Sequence, residues 1–130
     1  MKLFKNTLKS LTATVAVISL SASMIAITAS ATPNGNVTYQ HGEAPANKQT
    51  FGKIISTEVE ASMEIYGKAY YSSGVNKGKT INSLPSGGTN TKVESLYINH
   101  GSTSGSSFFE YYVNGVKEHE STAWWDFDFT

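Results

Sequence analysis

The stretch Phe108-Phe109-Glu110-Tyr111-Tyr112-Val113-Asn114-Gly115-Val116 (FFEYYVNGV) decides the fold class of this chain. Aromatic and β-branched residues favour strands, and Asn-Gly suits the positive φ angles of a two-residue type I′ turn. The stretch therefore predicts an antiparallel β-hairpin that turns at Asn114 and Gly115.

The residues after the hairpin predict another strand, over 124–129. Trp125, Phe127 and Phe129 alternate with Trp124, Asp126 and Asp128, so one face of this strand is aromatic and the other is mostly polar. The aromatic face is expected to be buried, and the two aspartates are expected to be solvated.

The residues before the hairpin carry further strand patterns, at 37–41, 53–60, 61–71 and 93–99. A helix over 57–66 is the alternative for part of this region, because Glu, Ala and Met tolerate helices. Glycine, serine, asparagine and proline dominate 84–90 and 100–107, which are predicted to be loops. Six or seven short strands between such turns predict an all-β fold, a small single-domain antiparallel β-sandwich.

The first 31 residues have the pattern of a secretory signal peptide. Lys2, Lys5 and Lys9 precede an apolar segment, and Ala29-Ser30-Ala31 offers small residues for cleavage after Ala31. A transmembrane anchor is the competing interpretation, but serines and threonines weaken the apolar segment. We therefore expect a secreted protein whose mature domain spans 32–130.

Charge and cysteine content exclude several classes of protein. The chain has no arginine or cysteine, and 32–130 keeps seven lysines against ten acidic residues, a net charge of −3. Nucleic-acid binders and membrane-lytic peptides are normally basic, so neither class is expected, and membrane contact should be peripheral at most. Without disulfides, the domain must depend on its aromatic core.

Catalytic and metal-binding patterns are weak. His41, His100 and His119 are not spaced as metal ligands, and the segment 101–105 is no nucleophile elbow because threonine occupies its centre. The alternation of Asp126 and Asp128 with aromatic residues is typical of the solvent-exposed face of a strand. We predict no enzyme activity, no metal and no cofactor.

Adjacent aromatic pairs are the better functional candidates. In a strand, each of the pairs Tyr70-Tyr71, Tyr111-Tyr112 and Trp124-Trp125 sends one ring to either face. Outward rings can anchor a partner or stack on sugars, although they can equally cover gaps or pair across strands. These six residues, with Tyr39 and His41, are the predicted binding residues.

The segment Thr38-Tyr39-Gln40-His41-Gly42 resembles the Thr-Trp-Gln-His-Gly start of the lactococcin 972 family, secreted bacteriocins of Gram-positive bacteria. Position 39 carries tyrosine where the family has tryptophan. The resemblance implies a small β-sandwich that inhibits related bacteria at the cell envelope by binding a cell-wall precursor. A secreted adhesion or interaction domain, which binds a surface protein or glycan through exposed aromatic residues, is the alternative.

Overall fold

A computed structural model of the chain describes residues 25–29 and 36–128. The described residues form seven strands that belong to one hydrogen-bonded antiparallel sheet. The strands are β1 (Ile25–Ala29), β2 (Val37–Ala44), β3 (Gln49–Tyr71), β4 (Thr80–Asn82), β5 (Ser86–Asn99), β6 (Ser104–Val113) and β7 (Val116–Asp126).

Strand β3 organises the sheet because it pairs with four other strands. Its first part, from Gln49 to Ser56, pairs with β2, and its last part, from Met63 to Tyr71, pairs with β6. Strand β5 pairs with both parts, and β4 pairs with β3 beyond the point where the pairing with β5 ends. An antiparallel strand has two edges, so β2 and β6 lie one after the other along the edge that β5 leaves open.

The sheet curls at the junction between these two parts of β3. The pairing with β5 changes register between Ile55 and Glu60, which is the mark of a bulge that bends a strand. The curl brings β2 onto β6 and β7. The ring of Tyr39 lies 4.7 Å from that of His119 on β7, although β3 and β6 separate the two strands in the sheet.

Hydrogen bonds from nearby side chains hold the bend. The Ser56 hydroxyl donates to a Glu60 carboxylate oxygen at 2.7 Å, and the Asn114 amide donates to the other oxygen at 3.0 Å. The side-chain oxygen Oδ1 of Asn114 in turn accepts a hydrogen bond from the backbone N–H of Ser62 at 3.1 Å. The turn of the β6–β7 hairpin is thereby fastened to the bend of β3.

The concave face of the curled sheet carries the core. Strand β6 alternates strictly along its length, and its buried members are Gly105, Ser107, Phe109, Tyr111 and Val113. Side chains of every other strand from β2 to β7 except β4 join this core, including Val37, Ile54, Met63, Ile65, Leu96 and Ala123. A second buried cluster, at the far end of the sheet, contains Ala69, Tyr71, Trp125 and Phe127.

The structure confirms the all-β antiparallel prediction and the hairpin. Asn114 and Gly115 have φ angles of 52° and 82°, and Val113 pairs with Val116. A sandwich of two separate sheets is not confirmed, because the described strands form one curled sheet. The alternative helix over 57–66 is wrong, since these residues are part of β3.

The predictions of two loops are also partly wrong. Strand β5 begins at Ser86, inside the predicted loop 84–90, and β6 begins at Ser104, inside the predicted loop 100–107. In both cases β3 offers an unpaired edge, and the backbone hydrogen bonds outweigh the weak strand preference of glycine and serine. The short strand β4 carried no pattern that predicted it.

The predicted signal peptide lies outside the described residues except for β1, and Phe129 lies outside them too. Strand β1 pairs with β2 from Ile25 opposite Glu43 to Ala29 opposite Tyr39. Cleavage after Ala31 stays a prediction.

Close contact inside the curl predicts that Gly52→Ala destabilises the protein by about 1–3 kcal/mol. A Cβ at Gly52 would lie 2.7 Å from the Tyr111 hydroxyl oxygen and 3.0 Å from the Phe109 ring. Tyr111 cannot move freely, because its hydroxyl is bonded to Ser121 at 2.7 Å. Urea unfolding measures the change.

Gly87→Ala is the matched control, because a Cβ there would lie 3.4 Å from the flexible Glu64 side chain. Its free energy of unfolding should stay within about 0.5 kcal/mol of the parent. Equal losses in the two variants would contradict the close packing of β3 on β6.

Candidate functional site

The three adjacent aromatic pairs are divided between the two faces of the sheet. Tyr71, Tyr111 and Trp125 point into the core and are at most 8% exposed. Their neighbours Tyr70 and Trp124 point outward and are 47% and 69% exposed, and Tyr112 is half-buried on the same outer side. Only the second set can touch a large ligand without unfolding the sheet.

Tyr39 and His41 lie on the inner side of β2, where the sheet curls over β7. The Tyr39 ring packs between Tyr111, at 5.2 Å, and His119, at 4.7 Å. Burial, and then the charges of Glu118 and Glu60, raise the pKa of the Tyr39 hydroxyl. Burial, and then the neighbouring His119, lower the pKa of His41. Tyr39 is therefore neutral and belongs to the core.

A buried polar cluster surrounds His100, and sequence reasoning did not predict it. The Nε2 atom of His100 lies 2.7 Å from the Thr50 hydroxyl and 3.3 Å from that of Ser107, and its Nδ1 atom lies 3.2 Å from the Tyr71 hydroxyl. The imidazole stacks on Trp125 at a centroid distance of 3.5 Å. The indole N–H of Trp125 donates to the Thr103 hydroxyl.

This cluster pairs histidine with serine, but its geometry favours a structural role. Ser107 and Thr50 are fully buried and hydrogen-bonded to each other at 2.6 Å. A nucleophile must reach its substrate, and these hydroxyls have no open side. Burial lowers the pKa of His100 to about 4, so the imidazole is neutral at pH 7 and can accept or donate one hydrogen bond on each side.

The described residues, 25–29 and 36–128, contain neither a group of metal ligands nor a helix that could span a membrane. In this part of the chain, no three His, Cys, Asp or Glu side chains are grouped so that they could hold a metal ion. None of its helices is long and apolar enough to cross a membrane.

The outer aromatic face is the candidate functional surface. It consists of Tyr66 and Tyr70 on β3, Phe108 and Tyr112 on β6, and Trp124 on β7, all directed away from the core. Tyr66 and Tyr112 meet edge to face at 5.3 Å. Because the rings stand on three paired strands rather than on loops, the sheet fixes their relative positions.

One row of this face has a small residue between two rings. Tyr70 pairs with Ser106 on β6, and Ser106 pairs with Trp124 on β7. Neighbouring strands are about 4.8 Å apart, so the backbones that carry the two rings lie roughly 10 Å apart, with a serine between them. Along this row, two exposed rings therefore flank a small polar residue.

Charged side chains lie among the rings of this face, with Glu110 opposite Tyr66 on the neighbouring strand. The Lys117 ammonium pairs with Glu110 at 3.0 Å and also with Glu120. Hydrogen bonds to Glu120 and Glu110 raise the pKa of Lys117, so its charge is permanent. The face therefore combines exposed aromatic rings with a local group of paired charges.

The adjacent pairs in the sequence revealed three of the outer rings, Tyr70, Tyr112 and Trp124. Tyr66 and Phe108 were missed as site residues, although their period-two spacing from Tyr70 and Tyr112 places them on the same side. No family model, curated protein or solved structure matches this chain.

The low pKa of His100 predicts a stability that falls in mild acid. The unfolded chain takes up a proton near pH 6.5 and the folded protein only near pH 4, so the unfolded state binds more protons between these values. The contribution of this group to stability is complete above about pH 6.5 and is lost as the pH falls to about 4, and the loss amounts to about 3 kcal/mol.

Urea unfolding across this pH range measures the effect, and NMR titration of the imidazole measures the pKa itself. His100→Asn should flatten the pH dependence whatever its effect on absolute stability. His41 and His119, whose pKa values burial also lowers, account for the slope that remains. Titration of His100 at its ordinary pKa would contradict the buried cluster.

Proposed function

We propose that this protein is a secreted, non-enzymatic domain that binds a component of the cell envelope of related Gram-positive bacteria through its outer aromatic face. The observation that carries the proposal is the exposure of Tyr66, Tyr70 and Trp124 on one face of a continuous sheet, at 41%, 47% and 69%. Exposed rings gathered on one surface are typical of binding sites.

The chemistry of these rings favours envelope glycans. The face of an aromatic ring is electron-rich, and it attracts the polarised C–H groups on the flat side of a sugar ring. The spaced rings of Tyr70 and Trp124, with the Ser106 hydroxyl between them, suit an extended chain of sugars. Contact of this kind needs no attraction between charges, which agrees with the net charge of −3 over residues 32–130.

The bacteriocin-like activity rests on the resemblance to the lactococcin 972 family. In this chain the similar segment, Thr38 to Gly42, lies in β2, and Tyr39, Gln40 and Gly42 are buried. We propose that the segment supports the fold, while the outer aromatic face binds a cell-wall precursor or its product. The layer that β2 makes over β6 and β7 supports describing the curled sheet as a small sandwich.

The absence of a catalytic role is likewise a proposal. It is supported by the burial of His100, Thr50 and Ser107, and by the packing of His119 against Tyr39. Membrane contact would be peripheral, since binding would occur on the wall side of the envelope.

Removal of outer rings should reduce envelope binding without reducing stability. Trp124→Ala and Tyr70→Ala should each weaken binding to purified cell walls of related Gram-positive bacteria about tenfold, because stacking of a ligand on one aromatic ring contributes on the order of 1–3 kcal/mol where it is known, for nucleobases. Co-sedimentation measures binding, and growth inhibition by the same variants measures activity.

Val75→Ala is the control, because Val75 is 93% exposed but lies in the turn after β3. It should bind and inhibit as the parent does. Unchanged wall binding by Trp124→Ala and Tyr70→Ala would contradict the proposal. Ring-dependent binding without any growth inhibition would support the alternative, a secreted adhesion domain.

A further inference from the structure

We propose that the outer aromatic face contains, beside β4, a binding site for one uncharged sugar ring. The site is a cleft of about 340 Å³ between the β3–β6 surface and the segment 82–85. This volume is at the small end of the range for ligand pockets. The inference rests on the proposed function, since it assigns a ligand class to part of the same face.

The floor of the cleft is a square of four side chains from two paired strands. Tyr66 stands opposite Glu110, and Lys68 stands opposite Phe108. The two rings therefore occupy one diagonal and the two charged groups the other. Opposite Cβ atoms in such a ladder are about 5 Å apart, so a single six-membered ring can contact a ring face and a charged group together.

The wall of the cleft is fixed to its floor. Asn82 pairs with Lys68 at the end of β4, and the backbone N–H of Ser83 donates to the Gly67 carbonyl oxygen at 2.8 Å. Pro85 completes the wall. The site is therefore formed before a ligand arrives, and binding has little ordering cost.

The polar groups offer both donors and acceptors. The Lys68 ammonium lies 5.5 Å from the centre of the Phe108 ring, and within residues 36–128 its charge is not paired with a carboxylate. One Glu110 oxygen accepts from Lys117 at 3.0 Å, so the other can accept from a ligand. Asn82 adds an amide, which both donates and accepts. Neighbouring hydroxyls on a sugar require this mixture.

The balance of charge selects an uncharged ligand. Lys68 and Glu110 carry opposite charges in the same small cleft. A sugar with a carboxylate would gain from Lys68 but would be repelled by Glu110, and the pairing of Lys117 with Glu110 and Glu120 leaves no excess of positive charge to favour an anion. A neutral pyranose ring can stack on Phe108 or Tyr66 and bond to both charged groups.

NMR titration of the full chain tests this inference. Methyl β-glucoside, methyl β-galactoside and methyl N-acetyl-β-glucosaminide are the uncharged probes, and methyl β-glucuronide is the matched probe with a carboxylate. At least one uncharged probe should cause saturable shifts confined to amides of the cleft, with a Kd on the order of millimolar. The glucuronide should bind at least about fivefold more weakly.

Two variants test the residues. Phe108→Leu keeps apolar bulk but removes the ring, and should weaken the best probe about tenfold; Lys68→Gln, at an exposed position, should weaken it about threefold. Val75→Ala should bind as the parent does. Each variant's amide spectrum shows whether it is folded.

The inference would be overturned if no saturable shifts appeared at about 100 mM probe, or if the shifts were centred elsewhere. It would also be overturned if the glucuronide bound as tightly as the neutral sugars, or if both variants kept full affinity. Sugar binding does not depend on envelope binding in this assay. Envelope binding without sugar binding would overturn only the cleft, and sugar binding without envelope binding would overturn only the proposed function.

Discussion

The bend in β3 is the constraint on which the rest of the structure depends. This 23-residue strand carries β2 and β6 along one edge, and it can do so only because its two parts point in different directions. A straight strand would leave β2 and β6 end to end along one edge of an open sheet, with their apolar faces in water. The bend turns one part of the sheet over the other, so both apolar faces are buried against each other.

The bend has a local cost that nearby polar groups offset. At the change of register, Val59 is 60% exposed and the β5 ladder is interrupted. Glu60 is nearly buried there, and Ser56 and Asn114 satisfy its two carboxylate oxygens. Asn114 thus has two roles, since it adopts the positive φ of the hairpin turn and also holds the bend. The same residue therefore contributes to both the hairpin turn and the bend of β3.

The sequence predicted what depends on neighbours along the chain. The alternation in β6 and β7, the turn at Asn114-Gly115 and the opposite orientations of adjacent rings all follow from the two-residue repeat of a strand. Interactions between distant segments were not predictable. Thr50 lies 50 residues from His100, and no local pattern indicates that β2 follows β6 along one edge of β3. Glycine- and serine-rich stretches joined the sheet because β3 offered them an edge.

The division of the aromatic residues between two faces connects this fold to its proposed activity. The inner rings pack in the core and stabilise the curl. The outer rings are not needed for this packing and are available to contact an envelope component. Oxidative footprinting of both tryptophans, in the free protein and in protein bound to purified cell walls, tests this division most directly. Trp124, which is 69% exposed, should be oxidised when free and protected when bound, whereas Trp125, which is 3% exposed, should resist oxidation in both states. Equal oxidation of Trp124 in the two states would contradict the account.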